Sequence, residues 1–121
     1  MRYRIWLDQL VNGDESYGIS DLVLSGHLRI VTNPRVFSPP SNIEAALDFA
    51  ERLRHAPSCV VVTPGFRHWQ IFSSLCRATS VKGNLVPDAY FAALAIESGS
   101  EWITTDGDYA RFPYLRWRRP F

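Results

Sequence analysis

The chain has 121 residues, of which 46% are hydrophobic, and a net charge of +1. This length suits one ordinary domain, the apolar fraction excludes wholesale disorder, and the net charge gives no general attraction for nucleic acids. No apolar run approaches the roughly 20 residues of a membrane span, and the N-terminus lacks the pattern of a secretory signal. Cys59 and Cys76 lack the spacing of a disulfide framework or a zinc site. We therefore expect a cytoplasmic protein that does not contact a membrane.

The first half of the chain predicts three helices and one short strand. Apolar residues at helical spacing indicate a first helix, which Asn12-Gly13-Asp14 ends. A strand is expected over Tyr17–Ile19, followed by a helix that begins after Ser20 as its N-cap. Residues 32–40 contain three prolines and predict a loop. Ser41-Asn42-Ile43-Glu44 fits a capping box, which predicts the start of the third helix.

The second half continues the alternation of strands and helices. Residues 59–63 are rich in β-branched side chains and predict a buried strand. After a fourth helix, Pro87 is expected at the first position of a fifth helix that stops at Gly99. Residues 102–105 predict a strand, and residues 115–117 a last short one. Helices that separate short strands favour an α/β class, and we expect a three-layer α/β/α domain around a short, mainly parallel central sheet of about four strands.

Three acids fall where a site could form. Asp88 lies in the first turn of the fifth helix, whose dipole favours an ionised carboxylate. Asp106 follows the strand at residues 102–105, and Asp108 comes two residues later. Sites in parallel sheets form beyond the carboxyl ends of strands, so these acids can meet and bind a hard cation such as Mg²⁺. The alternative is purely structural: a charge-matched helix start and a common Asp-Gly turn.

Basic and aromatic residues crowd the C-terminus. Arginines with interspersed aromatic rings suit phosphates and unstacked bases, whereas the alternative is an ordinary solvated terminal segment. The arginines are Arg111, Arg116, Arg118 and Arg119, and the rings are those of Tyr114, Trp117 and Phe121.

Three stretches together resemble the PIN-domain family, and within it the VapC-type ribonuclease toxins of toxin–antitoxin pairs. They are residues 28–37 (LRIVTNPRVF), 83–95 (GNLVPDAYFAALA) and 105–112 (TDGDYARF). The resemblance covers essentially the whole chain as a single PIN-like domain, residues 1–121.

The resemblance implies a Mg²⁺- or Mn²⁺-dependent endoribonuclease with RNA as substrate. It also implies a cognate VapB-type antitoxin and a homodimer. Asp88, Asp106 and Asp108 match acids of the family, which makes them the expected catalytic and metal-binding residues.

Two departures from the family pattern bear on activity. The family opens on a strand carrying Asp-x-Asn, but Met1 falls inside the helix that follows, and Asp8 belongs to that helix. The domain is therefore expected to lack its N-terminal strand. Many members of the family carry a glutamate in the second helix, and this chain has Gly26 at that position. Asp21, at the start of the same helix, is a candidate substitute. We therefore expect weak or undetectable ribonuclease activity for this chain.

The rival hypothesis is a catalytically impaired PIN remnant that serves as an antitoxin-binding or dimerisation module. An acid-phosphatase-like hydrolase using Asp106 and Asp108 is disfavoured, because such enzymes carry their acidic pair after an early strand.

Overall fold

The computed structural model describes residues 2–36 and 39–121. This part of the chain contains five α-helices, one 3-10 helix and four short strands, which confirms the α/β class. In chain order they are α1 (Arg2–Asn12), β1 (Tyr17–Ile19), α2 (Asp21–Val31), α3 (Ile43–His55), β2 (Cys59–Val61), α4 (His68–Thr79), α5 (Leu85–Ser98), β3 (Trp102–Ile103), the 3-10 helix (Gly107–Arg111) and β4 (Trp117–Arg118). Of the loop predicted at residues 32–40, Phe37 and Ser38 lie outside the described residues.

The chain divides into two compact units, Met1–Val62 and Thr63–Phe121. The strands described here form two parallel pairs, one in each unit, where the sequence predicted one sheet of about four strands. The parallel direction of the strands is confirmed in both pairs.

The first unit places β1 beside β2 and packs helices around a small apolar core. The strands align Tyr17 with Cys59 and Ile19 with Val61. The buried residues of the core lie on α2 and α3, with partly buried residues of α1 and β1 against them. They are Leu24, Ala50 and Leu53, with Leu7, Val11, Ile19 and Phe49.

The prediction that β2 is a buried strand was wrong. Val60 keeps 56% and Val61 36% of its surface exposed. A run of β-branched residues favours a strand but does not establish that both of its faces are covered. In the described residues β2 pairs with β1 alone, so one of its edges remains open.

The start of α3 also differs from the prediction. Asn42 is the N-cap, and its side-chain oxygen accepts a hydrogen bond of 2.8 Å from the backbone N–H of Ala45. A capping box would have used Ser41 as the cap with Glu44 three residues later. Asn and Ser are about equally good N-caps, so the sequence could not decide between neighbouring candidates.

This difference gives a testable stability prediction. We expect Asn42→Ala to lower the free energy of unfolding by about 1 kcal/mol, because it removes the partner of the Ala45 N–H. The control Ser41→Ala should change it by less than about 0.5 kcal/mol, as expected of an exposed residue without a capping role. Urea titrations of the two variants measure both values. A larger loss of unfolding free energy for Ser41→Ala than for Asn42→Ala would support the capping box instead.

The second unit is built on the packing of α4 against α5. Its core contains alanines of α5 with no exposed surface, which let neighbouring elements approach closely. The buried members are Leu75, Ala89, Ala92, Ala93, Tyr109 and Phe112. Two of these, Tyr109 and Phe112, belong to the segment that follows Asp106, so the core fixes the position of that segment.

Helix α5 begins two residues before its predicted start. Asn84 precedes the first helical residue, Leu85, and Pro87 is the third residue of the helix. Proline is tolerated there because the first four N–H groups of a helix have no partner within it. The predicted stop at Gly99 is confirmed: Gly99 has φ 70°, a left-handed conformation that favours glycine.

Strands β3 and β4 lie parallel, with Trp102 opposite Trp117 and Ile103 opposite Arg118. A further hydrogen bond runs from the N–H of Thr104 to the carbonyl of Arg118, 3.0 Å long. Strands β3 and β4 therefore end at the same edge of this strand pair, and Asp106 follows β3 at that edge.

Candidate functional site: a carboxylate cluster in the second unit

Asp88 is held in place by a residue that the sequence analysis did not single out. It is the fourth residue of α5 and is partly buried, next to the fully buried Ala89. The hydroxyl of Tyr109 donates a hydrogen bond of 3.2 Å to Asp88 Oδ1. The ring of Tyr109 is itself buried, and its centroid lies 5.4 Å from that of Trp102. The core therefore orients the donor, and the donor orients the carboxylate.

The pKa of Asp88 is raised above its ordinary value. The largest cause is burial, which disfavours the charged form, and the negative charges of Asp106 and Asp108 add to it. The hydrogen bond from Tyr109 and the positive charge of Arg111 act in the opposite direction. The three predicted acids therefore form one electrostatic cluster within this unit.

Asp106 and Asp108 are fixed by a tight turn. The N–H of Asp108 donates a hydrogen bond of 2.8 Å to Asp106 Oδ1, which makes Asp106 the N-cap of the 3-10 helix. The N–H of Asp106 in turn donates a hydrogen bond of 3.1 Å to Thr104 Oγ1. The structural interpretation of this Asp-Gly turn is thus confirmed, but it uses only one oxygen of Asp106.

Asp108 is partly neutralised by Arg111. Arg111 Nη2 lies 3.5 Å from Asp108 Oδ1, and its Nε donates 3.0 Å to the carbonyl of Asp108. Because both side chains are substantially exposed, this ion pair contributes little to stability. Its effect is local, since it places a cation beside the cluster.

Burial and the nearby charge of Asp88 raise the pKa of the Tyr109 phenol. The hydroxyl therefore stays protonated at physiological pH and remains a donor. No pattern in the sequence indicates this role, because Tyr109 and Asp88 are 21 residues apart and an aromatic ring after a turn is usually part of the core.

The substitution Tyr109→Phe tests this arrangement. It keeps the ring but removes the hydrogen bond that favours the ionised form of Asp88, so we expect the pKa of Asp88 to rise further. Carboxyl chemical shifts of the metal-free protein, followed against pH, measure it. A pKa that stays the same or falls would show that the hydroxyl does not stabilise the carboxylate.

The cluster offers the right chemistry for a hard cation without forming a closed cage. In the described ranges, no group of three or more His, Cys, Asp or Glu side chains is arranged to hold a metal ion. The donor set of Asp88, Asp106 and Asp108 consists of carboxylate oxygens, which Mg²⁺ prefers, and Mg²⁺ is commonly held by one or two carboxylates while keeping several waters. The carboxylate donors are therefore of the type that suits a partly hydrated ion.

The acid expected to replace the family glutamate is otherwise engaged. Asp21, in the first unit, accepts hydrogen bonds of 2.8 and 3.2 Å from Arg54, and this contact lowers its pKa. Gly26 has open space around it, since a Cβ placed there would meet no atom within 4 Å. Asp8 is exposed on α1. Asp21 is therefore occupied by an ion pair in this structure.

Within residues 2–36 and 39–121, no helix is long and apolar enough to cross a membrane.

Comparison with known proteins identifies the family. The family model described as PIN domain matches residues 1–114. Ribonuclease VapC43 of Mycobacterium tuberculosis is 42% identical over 118 residues, an alignment that covers 98% of this chain and 80% of that protein.

Two solved structures share the fold. VapBC-1 from nontypeable Haemophilus influenzae matches with a TM-score of 0.71 and 15% identity, over 98% of this chain and 87% of that one. VapBC2 from Rickettsia felis, bound to a DNA fragment from its promoter, matches with a TM-score of 0.69 and 17% identity, over 97% and 83%. At this identity the structures establish the fold, and the sequence matches establish the family. The chain belongs to the PIN-domain family and is a homologue of the VapC ribonuclease toxins of toxin–antitoxin systems.

Proposed function

We propose that this protein is a Mg²⁺- or Mn²⁺-dependent endoribonuclease toxin that hydrolyses RNA phosphodiester bonds at the cluster of Asp88, Asp106 and Asp108. The observation that carries the proposal is the placement of the three acids in one unit: Tyr109, three residues after Asp106, donates a hydrogen bond of 3.2 Å to Asp88 Oδ1, and Asp106 and Asp108 share one turn. Burial and, after it, the negative charges of Asp106 and Asp108 raise the pKa of Asp88. Carboxylates that repel one another cost stability, and a divalent cation would offset that cost. The identity to named ribonucleases supports the same conclusion.

Each residue of the cluster has a distinct part in this proposal. Asp88 and Asp106 would contribute metal ligands, with Asp108 beside them, and the bound ion would supply charge neutralisation and activation of water. Tyr109 keeps Asp88 in one orientation through its hydroxyl. Arg111 reduces the net negative charge at Asp108, which lowers the repulsion that an approaching phosphate would meet.

The experiment is RNA cleavage by this chain with Mn²⁺, with Mg²⁺ and with excess chelator. Cleavage that requires the metal supports the proposal. Cleavage that is unaffected by the chelator would contradict it. So would the absence of cleavage by a chain that is folded and free of antitoxin.

A second candidate is a catalytically impaired PIN module that binds an antitoxin or forms a dimer. The observation that favours it is the engagement of Asp21 by Arg54, together with the absence of a carboxylate at Gly26. Under this alternative the chain binds its partner but shows no metal-dependent cleavage of RNA.

We propose a cognate VapB-type antitoxin as the partner and a homodimer as the oligomeric state. The solved structures that share the fold are those of VapBC proteins, which supports an antitoxin as the partner. Co-purification with the product of a neighbouring gene and light scattering of the free chain would test the two parts separately.

We also propose that residues 1–121 act as one PIN-like domain. The family model supports this, because its match runs through both compact units.

A further inference from the structure

We propose that Arg119 binds a backbone phosphate of the RNA beside the Asp106–Asp108 turn, in the second unit. This inference rests on the proposed ribonuclease function and adds a substrate-positioning residue to it. It concerns an arginine of the C-terminal basic and aromatic segment, a feature that the carboxylate cluster does not explain.

The strand register brings Arg119 to the edge where the acids lie. Ile103 pairs with Arg118, and the N–H of Thr104 donates to the carbonyl of Arg118, so Arg119 leaves the ladder beside Thr104. Two residues after Thr104 the chain reaches Asp106. A Cβ atom placed on Gly107 would lie 3.4 Å from Arg119 Nη2. The guanidinium group therefore lies close to Gly107, in the turn that carries both acids.

The other arginines of this segment already have acceptors. Arg111 forms an ion pair with Asp108. Arg116 donates a hydrogen bond of 3.0 Å to the carbonyl of Gly99, and Arg118 donates one of 2.8 Å to Glu101. The guanidinium group of Arg119 stacks on the ring of Trp117.

The stacking on Trp117 prepares Arg119 for an anion. Its Cζ lies 5.4 Å from the centroid of the indole ring, within the range of a cation–π contact. The ring occupies one face of the planar guanidinium and leaves the N–H groups at its edge available. That edge matches two oxygens of a phosphate group, which arginine binds in a bidentate manner.

Charge favours a phosphate at this point. A cluster of three carboxylates repels the RNA backbone, and the exposed cation of Arg119 beside the turn supplies local attraction. A phosphate held there would lie next to the carboxylates that the proposed function uses. The contact is independent of base identity, as phosphate contacts are, so Arg119 positions the strand and does not select its sequence.

RNA binding in an Asp88→Asn background tests the inference without interference from cleavage. We expect Arg119→Ala to weaken the binding of single-stranded RNA about five- to tenfold. It should also reduce the slope of log K against log salt concentration by about 0.7, the value for one phosphate contact on a single strand. Arg119→Lys should keep the salt dependence but recover only part of the affinity, because lysine lacks the planar fork.

Arg77→Ala is the matched control. Arg77 is exposed in the last turn of α4, in the same unit, and its removal changes the net charge equally. Arg77→Ala should lower the affinity for RNA by less than about twofold, which is the effect expected from the change in net charge alone. Equal losses for Arg77→Ala and Arg119→Ala would overturn the inference, because general charge would then explain both. Unchanged RNA affinity in Arg119→Ala would overturn it while leaving cleavage, and thus the proposed function, intact. The absence of RNA binding by every variant and of RNA cleavage by the unsubstituted chain would overturn both.

Discussion

The substitution Asp88→Asn should reduce metal-dependent RNA cleavage at least about a hundredfold. Asparagine keeps the shape of the side chain and one oxygen, but it removes the negative charge that would hold a divalent cation. A displaced ion no longer places water and phosphate correctly, and small misplacements cost about a hundredfold. Initial rates on a labelled RNA with Mn²⁺ measure the effect. The control is Asp48→Asn, which removes an exposed carboxylate from α3 and should leave the rate within about twofold.

The same substitution should have the opposite effect on stability in chelator. The pKa of Asp88 is raised in the folded protein, so ionising this carboxyl lowers the free energy of unfolding. The loss reaches its full size at pH values above the raised pKa. As pH falls through the range between the raised and the ordinary value, the unsubstituted protein should regain stability. Asp88→Asn lacks this titration and should be slightly more stable at neutral pH, because its uncharged amide avoids the cost of burying a carboxylate and the repulsion from Asp106 and Asp108. A variant that loses both activity and stability would indicate a structural role for Asp88.

The sequence singled out the acids of the candidate site but not the residues that surround them. Helix dipoles and strand ends are local features, so the positions of Asp88 and Asp106 followed from the residues beside them. The hydroxyl of Tyr109 reaches Asp88 only through the packing of the core, and no spacing in the sequence encodes that contact. The pairing of Asp21 with Arg54 likewise joins residues 33 positions apart.

The same distinction explains the fold. Apolar residues at helical spacing located α1, α3 and α4, whereas cap, proline and glycine signals located α2 and α5. The errors arose where a local pattern allowed two outcomes. At α3 two adjacent residues could cap the helix, and at β2 the β-branched run did not reveal how much of the strand stays uncovered.

The substitution Phe112→Ala should destabilise the protein more than any other change considered for the second unit. Phe112 is 4% exposed, and its ring centroid lies 5.9 Å from that of Tyr109. Truncating a buried phenylalanine typically costs about 3 to 5 kcal/mol, from lost apolar burial and the cavity that remains. This is a large share of the about 5 to 15 kcal/mol by which domains are stable. The loss should also loosen Tyr109 and, through its hydroxyl, the orientation of Asp88.

Phe66→Ala is the matched control, because it is the same chemical change at a side chain that is 97% exposed in the same unit. Urea titrations followed by tryptophan fluorescence should give a loss below about 0.5 kcal/mol for Phe66→Ala. Phe112→Leu keeps the test quantitative even if Phe112→Ala unfolds the chain altogether. It retains most of the apolar volume and should lose less stability than the alanine variant. If the variants at Phe112 unfolded no more easily than Phe66→Ala, the core of the second unit could not be what holds Tyr109 against Asp88. The carboxylate cluster would then need another support.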